Sequence, residues 1–439
     1  MDTLEQPYWR RSAWWKQAGR SSVVMFGGTA LGFFTSIVAA RAVGPVQFGQ
    51  LAMATSVVAS IATFLDFSLE EAVVHHGARL LEEGRPGDLR ALLRESLALD
   101  AAVGSVVFVL LLVISAPLAR AASDGALPPL LIQLAAVEVL ATTVNGTSGA
   151  TLMLGGRPEL KAWTTALITG LRLISVIAVV HLTNGGPERV LWGYIVGAAI
   201  GSAFQLLLAR RVARGWGGPR TPNRPVSRRR LASFGLHSSV TTTLIGLRTA
   251  AAVVVLGRAA GPFAVGLLTV GMLPITLATV ASAPIRLMTF PEQARLAARG
   301  RADLLWASIR LYTGVGVAAG TVAAVIGYAV LPMVFRLLYP DDYAAGVTVA
   351  RILLPAAIAT LSVAWTKAFP AAVGRPVVRS WVSLAELVIT LVLVVPLASH
   401  GVTGAATAIS LATMASAVIW WVVARRMLIA MANAPESRR

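Results

Sequence analysis

Charged side chains buried within apolar runs carry the most chemical information in this sequence. Arg248 lies deep in one such run, and Thr241 lies seven residues before it. Seven residues are two helical turns, so the two share a face, which His237 and Ser238 extend. Arg172 and Glu138 fall mid-run in two other stretches. Lys367, Arg286 and Asp66 lie nearer the ends of their runs, and Glu386 lies in the inner half of its own. An ionisable group inside a bilayer-spanning helix is costly, so it marks a substrate path, an ion path or an ion pair. Arg248 and Arg172 are too deep to snorkel easily, which favours a cavity role. Arg286 and Lys367 are placed to reach the headgroups. Arg248, Arg172, Thr241, Lys367 and Arg286 are therefore the candidate substrate contacts. Asp66, Glu138 and Glu386 are candidate coupling or ion-pairing groups. Glu138 and Arg172 have a plainer reading as a structural pair between neighbouring spans.

Other chemistries are poorly served. The chain has no Cys, which removes disulfides, thiolate metal sites and thiol catalysis. His75 and His76 are adjacent, so on a helix they point about 100° apart and make a poor metal site. Asn145-Gly146-Thr147 matches a glycosylation sequon but lies within an apolar run. No cofactor, metal or catalytic residue is expected, and the chain does not read as an enzyme.

The elements that must hold these charges follow from composition. Of 439 residues, 56% are hydrophobic and 13% charged, against about 25% charged in soluble chains. Mean hydropathy is +0.72. A spanning helix needs about 20 mostly apolar residues. Such runs occur at roughly 21–40, 48–69, 96–118, 127–154, 161–182 and 190–208. They resume at roughly 233–256, 264–288, 311–334, 347–372, 380–399 and 403–424. An all-α polytopic membrane protein of about twelve spans is expected. The N-terminal residues lack a signal-peptide core, so the first run is expected to remain in the mature protein.

The net charge of +18 is distributed with a pattern. Both tails and the even-numbered loops hold 29 Lys and Arg, and the remaining loops hold five. By the positive-inside rule both termini are cytoplasmic and the protein is a multi-pass cell-membrane protein. The basic excess thus points to the bilayer, not to nucleic acid. The expected organisation is an N-tail at 1–20, an N-lobe at 21–208, a basic linker at 209–232, a C-lobe at 233–424 and a C-tail at 425–439. The linker is rich in Gly, Pro and Arg, and suits anionic lipid headgroups.

The two halves resemble each other. Arg41-Ala42-Val43-Gly44-Pro45 through Gly49 returns as Arg258-Ala259-Ala260-Gly261-Pro262 through Gly266, 217 residues later. Gly156-Arg157-Pro158 returns as Gly374-Arg375-Pro376, and Trp163 as Trp381. Ordered matches at nearly constant offset argue for duplication. Six spans per repeat give parallel lobes, which typically enclose a central cavity and rock to expose it to each side in turn.

These residues resemble a known family, the oligosaccharide-lipid and polysaccharide flippases of the multidrug/oligosaccharidyl-lipid/polysaccharide exporter superfamily. Arg41 to Gly49 and the span ending Leu65-Asp66-Phe67 look like its first hairpin, and Leu256 to Gly266 its second-lobe counterpart. Leu338-Tyr339-Pro340-Asp341-Asp342-Tyr343 and Arg351 to Pro355 resemble the start of its tenth span. Val373-Gly374-Arg375-Pro376 and His400-Gly401-Val402-Thr403-Gly404 match its short hallmarks around span eleven. The chain departs from the pattern at Thr249 to Ala252, where many relatives carry an Asp, and at Ser68, where Gly is common. The resemblance implies a polyprenyl-diphosphate-linked oligosaccharide as substrate, flipped from the inner to the outer leaflet. It also implies partners among other polysaccharide-assembly proteins. A Na⁺- or H⁺-driven exporter of drugs or small amphiphiles is the first alternative, and a membrane-embedded sugar polymerase or ligase the second.

Overall fold

The computed structural model describes residues 12–65, 69–183, 185–216, 228–373, 375 and 377–432. Helices α1 (Ser12–Leu65), α2 (Leu69–Glu82), α3 (Pro86–Ser123), α4 (Pro129–Thr142), α5 (Asn145–Leu154), α6 (Pro158–Leu182) and α7 (Pro187–Arg214) fill the first half. The second half holds α8 (Arg228–Gly271), α9 (Leu273–Ala298), α10 (Ala302–Leu338), α11 (Gly346–Ile352), α12 (Leu354–Val363), α13 (Phe369–Ala372), α14 (Val377–Leu397) and α15 (Gly401–Ala432). Among the described residues there is no strand. Proline opens α3, α4, α6, α7, α9 and α12 at the first or second position, where its fixed φ suits the first turn and its missing N–H is not needed.

Some helices are too long for one crossing. The 54 residues of α1 would reach about 80 Å, against about 30 Å of hydrocarbon. Its continuity is broken at Gly44, where φ is 73° and ψ is 172°. In α8, Gly261 does the same with φ 79° and ψ 175°. Both glycines precede a proline, so the two corners repeat in conformation as well as in sequence. A Cβ at either would meet no neighbour within 4 Å, so the constraint is the backbone itself. Gly44→Ala and Gly261→Ala are each expected to lower stability by about 1–3 kcal/mol, the cost of an L-residue in a positive-φ extended conformation that only glycine adopts freely, as read by thermal unfolding in detergent.

Among the described residues, eight helical stretches are long and apolar enough to cross a membrane, and α11–α12 add one pair bent by 46°. Dividing the stretches at Gly44, at Gly261 and between α14 and α15 yields runs consistent with the twelve expected from sequence. Large apolar side chains such as Val106 and Val113 on α3 and Val325 and Tyr328 on α10 are exposed. That is the expected outside of a protein whose solvent is lipid.

Chain packing divides the molecule into a unit of Val24–Phe263 and a unit whose body is Ala264–Arg439. The division falls at the Gly261-Pro262 corner. The reason is the packing of the first part of α8. Thr243 Oγ1 donates to the Thr63 carbonyl of α1 at 3.0 Å, and Arg258 donates to the Ala121 carbonyl of α3 at 3.2 Å. The seventh span thus packs with the first six.

Between the membrane helices, α2 is amphipathic. Its Ala72, Val73 and Leu80 pack on Leu89, Leu92 and Leu93 of α3 and Ala150 of α5. Glu70 of α2 pairs with Lys161 of α6. At the α2–α3 turn, Arg79 and Arg85 hold the Glu83 carboxyl below its ordinary range. In the second unit, Leu296, Leu305, Trp365, Phe369 and Met427 form one buried cluster.

Candidate functional site

The position of Arg172 begins with glycine. Gly193, Gly197 and Gly201 recur every fourth residue along α7, the spacing that lets membrane helices approach closely. They meet Val176, Arg172 and Ile168 of α6. A Cβ on Gly197 would come within 2.5 Å of the Arg172 Cα, and one on Gly193 within 2.9 Å of the Val176 Cα. The backbone bearing Arg172 is thereby clamped against α7. Arg172 lies 14 residues into α6, about 21 Å along its axis, well inside the hydrocarbon.

From there the guanidinium pairs with Glu138 of α4 and lies over the Tyr194 ring of α7, 5.7 Å from its centroid. Its Nε is buried with no hydrogen-bond partner among the described residues. The pair lines a cavity of about 340 Å³ in the first unit, walled by α1, α4, α6 and α7. The lining includes Thr35, Ser36, Thr55, Thr142, Thr169 and Tyr194. Four of these hydroxyls donate back into their own helix, Thr35 to Leu31, Thr55 to Leu51, Thr142 to Glu138 and Thr169 to Thr165. With their protons so used, they offer lone pairs to the cavity. The site therefore combines one guanidinium, one carboxylate and a ring of acceptor hydroxyls. That set suits water and polyhydroxylated ligands beside an anion.

Thr241 and Arg248 are both half-buried on α8, and the helix is unbroken between them. The shared face expected from their spacing is therefore present. Thr243, which bonds to Thr63, and Ala250 and Val253, which are buried, lie roughly half a turn round from it. Arg248 thus lies opposite the face that packs on α1.

In the second unit, Glu386 of α14 is 3% exposed. Its Oε1 accepts from Trp420 Nε1 of α15 at 2.8 Å and from Ser416 of α15. Lys367 Nζ is 3.7 Å from the same oxygen. Lys367 sits in a short 3-10 turn, Thr366–Ala368, that interrupts the helical run between α12 and α13. The sequence reading favoured snorkelling for Lys367, but its amine lies beside this buried carboxylate. Trp420→Phe keeps most of the volume and deletes one donor to a charged group. It is expected to lower stability by about 1.5–3 kcal/mol, measurable by thermal unfolding in detergent.

Asp66 lies outside the described residues, and so does the side chain of Arg286. Tyr194, Trp420, Ser416 and the glycine ladder of α7 were not singled out from sequence. The ladder was legible as a four-residue glycine period. Trp420 was not, because tryptophan in an apolar run near a span end reads as an interfacial anchor.

The model of the polysaccharide biosynthesis protein family matches residues 14–296, well over half the chain. The chain belongs to the polysaccharide biosynthesis protein family. It thereby falls within the exporter superfamily suggested by its motifs. This family member shares its fold with solved transporters. An inward-facing multidrug resistance MATE family transporter of the MOP superfamily aligns with TM-score 0.76 at 15% identity, covering 93% of this chain and 98% of that one. A MOP superfamily transporter from Pyrococcus furiosus aligns with TM-score 0.69 at 16% identity, covering 95% and 96%. The MATE transporter of Vibrio cholerae in a bent form aligns with TM-score 0.65 at 13% identity, covering 95% and 97%. At these identities the likeness establishes the fold. No curated protein matches the chain. The family member is an all-helical, multi-pass membrane transporter.

Proposed function

We propose that the protein flips a polyprenyl-diphosphate-linked oligosaccharide from the inner to the outer leaflet by alternating access. The observation that supports this most is a mid-membrane arginine, Arg172, set in a hydroxyl-lined cavity of a polysaccharide biosynthesis family member. A sugar headgroup cannot cross hydrocarbon unaided, because each unpartnered hydroxyl costs several kcal/mol, on the order of 2–7. Hydroxyl walls offset part of that cost. A diphosphate also needs cations, and the planar arginine fork binds phosphate oxygens in pairs. Arg172 and Arg248 are the residues assigned to it, with Thr241 beside Arg248. Lys367 and Arg286 are further candidate contacts. No bond is made or broken in such a cycle. The charge bias of the loops supports cytoplasmic termini.

Arg248→Ala is expected to abolish surface polysaccharide export in cells while membrane insertion stays at the wild-type level. Normal export by that variant removes Arg248 from the path.

The MATE likeness and the buried Glu386 favour a second reading, a cation-driven exporter of small amphiphiles. Glu138 and Glu386 would then carry the coupling ion, and Asp66 would be a further candidate. Efflux of a cationic dye driven by a Na⁺ or H⁺ gradient, with no movement of a lipid-linked sugar, would decide for it.

A further inference from the structure

A second cavity, of about 300 Å³, lies in the other unit, far along the chain from the Arg172 site. Its walls are Ala294 and Ala297 of α9, Ala372 and Val373 at the end of α13, and Met427 and Met431 of α15. Among the described residues one charged residue lines it, Arg375, which is exposed. The slot opens over the core cluster, because Ala297, Val373, Met427 and Met431 also belong to that packing.

Three features specify an occupant. The lining side chains are apolar except for a single cation, which suits a pocket that holds a hydrophobic body and orients one polar group. Small alanines leave the space, and two methionines, flexible and polarizable, can adapt to a chain of variable shape. The segments that carry the lining residues are basic. Stretches 294–300, 372–379 and 424–431 contain Arg295, Arg299, Arg375, Arg379, Arg425 and Arg426 and no carboxylate. The slot therefore lies where α9 and α15 reach the strongly basic ends of their spans. Basic pockets between membrane helices at that level suit anionic lipid headgroups.

We infer that this slot binds an anionic phospholipid, with part of one acyl chain between α9, α13 and α15 and the phosphate on Arg375. The site is independent of the substrate proposed above. A lipid held there would tie together α9, α13 and α15.

The test uses the purified full chain in detergent, with phosphatidylglycerol and phosphatidylcholine of identical acyl chains as probes. Native mass spectrometry counts the lipid retained. Wild type is expected to keep one phosphatidylglycerol per chain in preference to phosphatidylcholine. Arg375→Gln should weaken phosphatidylglycerol retention about fivefold, the effect of losing one cation at a lipid phosphate. Met431→Trp, which fills the slot, should weaken retention of both lipids. Unchanged thermal unfolding of each variant would show that the fold persists. Equal retention of the two lipids by wild type would overturn the proposal. So would unaltered phosphatidylglycerol retention in Arg375→Gln or in Met431→Trp. Displacement of the lipid by soluble glycerol phosphate at equal concentration would reassign the site to free phosphate and overturn it too.

Discussion

Replacing Arg172 with methionine is expected to stop headgroup translocation and to destabilise the protein by about 3–5 kcal/mol. The guanidinium pairs with Glu138, whose side chain is 13% exposed. Removing one partner leaves the other charge buried without its counterion, and that residual charge is the source of the cost. The double variant Arg172→Met with Glu138→Met separates structure from transport. Two apolar side chains of similar volume should restore stability to near wild type, because no orphan charge remains. Transport should stay lost, because the cavity has then lost its cation. Thermal unfolding in detergent reads the first effect, and movement of a lipid-linked sugar headgroup in vesicles reads the second. A double variant that is stable and transports normally would show that the pair is only structural.

Gly197→Leu is expected to be comparably damaging. The added side chain would begin within 2.5 Å of the Arg172 Cα and 2.6 Å of its backbone nitrogen, so no rotamer change on α6 could make room. The helices α6 and α7 would have to separate along the glycine ladder. Overpacking in a well-packed core costs about 1–3 kcal/mol, and contact with backbone places this case at or above the top of that range. Little folded protein should be recovered. Gly314→Ala is the matched control, since a Cβ there meets nothing within 4 Å. It should be neutral or mildly stabilising, by up to about 1 kcal/mol, because alanine is the better helix former. Yields and unfolding temperatures measured side by side distinguish the two. Wild-type stability in Gly197→Leu would contradict the clamped geometry of Arg172.

Much of the fold was legible because its determinants are local. Apolar runs and the Gly-Pro corners carry their meaning in a few adjacent residues, and the paired φ values of Gly44 and Gly261 match the repeat. The grouping of the seventh span with the first six was not legible. It depends on contacts such as Thr243 with Thr63, 180 positions apart. The site divides in the same way. That Arg172 and Glu138 are both mid-span could be seen, and their pairing follows from neighbouring spans. Which charges share a cavity with which hydroxyls could not, because Thr35 and Thr55 come from the two arms of α1, Thr142 from α4 and Thr169 from α6. Lys367 shows the limit most clearly. Its distance from the span end suggested the headgroups, while the 3-10 turn that carries it brings it to Glu386.

The central claim is that this family member moves an anionic sugar headgroup across the bilayer. Its most direct test places the purified wild-type protein in vesicles with a polyprenyl-diphosphate-linked oligosaccharide in the inner leaflet. A membrane-impermeant reagent then measures sugar exposed outside over time. Time-dependent exposure that requires the protein and is lost in Arg172→Met/Glu138→Met is expected. Folded wild-type protein that leaves the sugar inside under every ion gradient would contradict it.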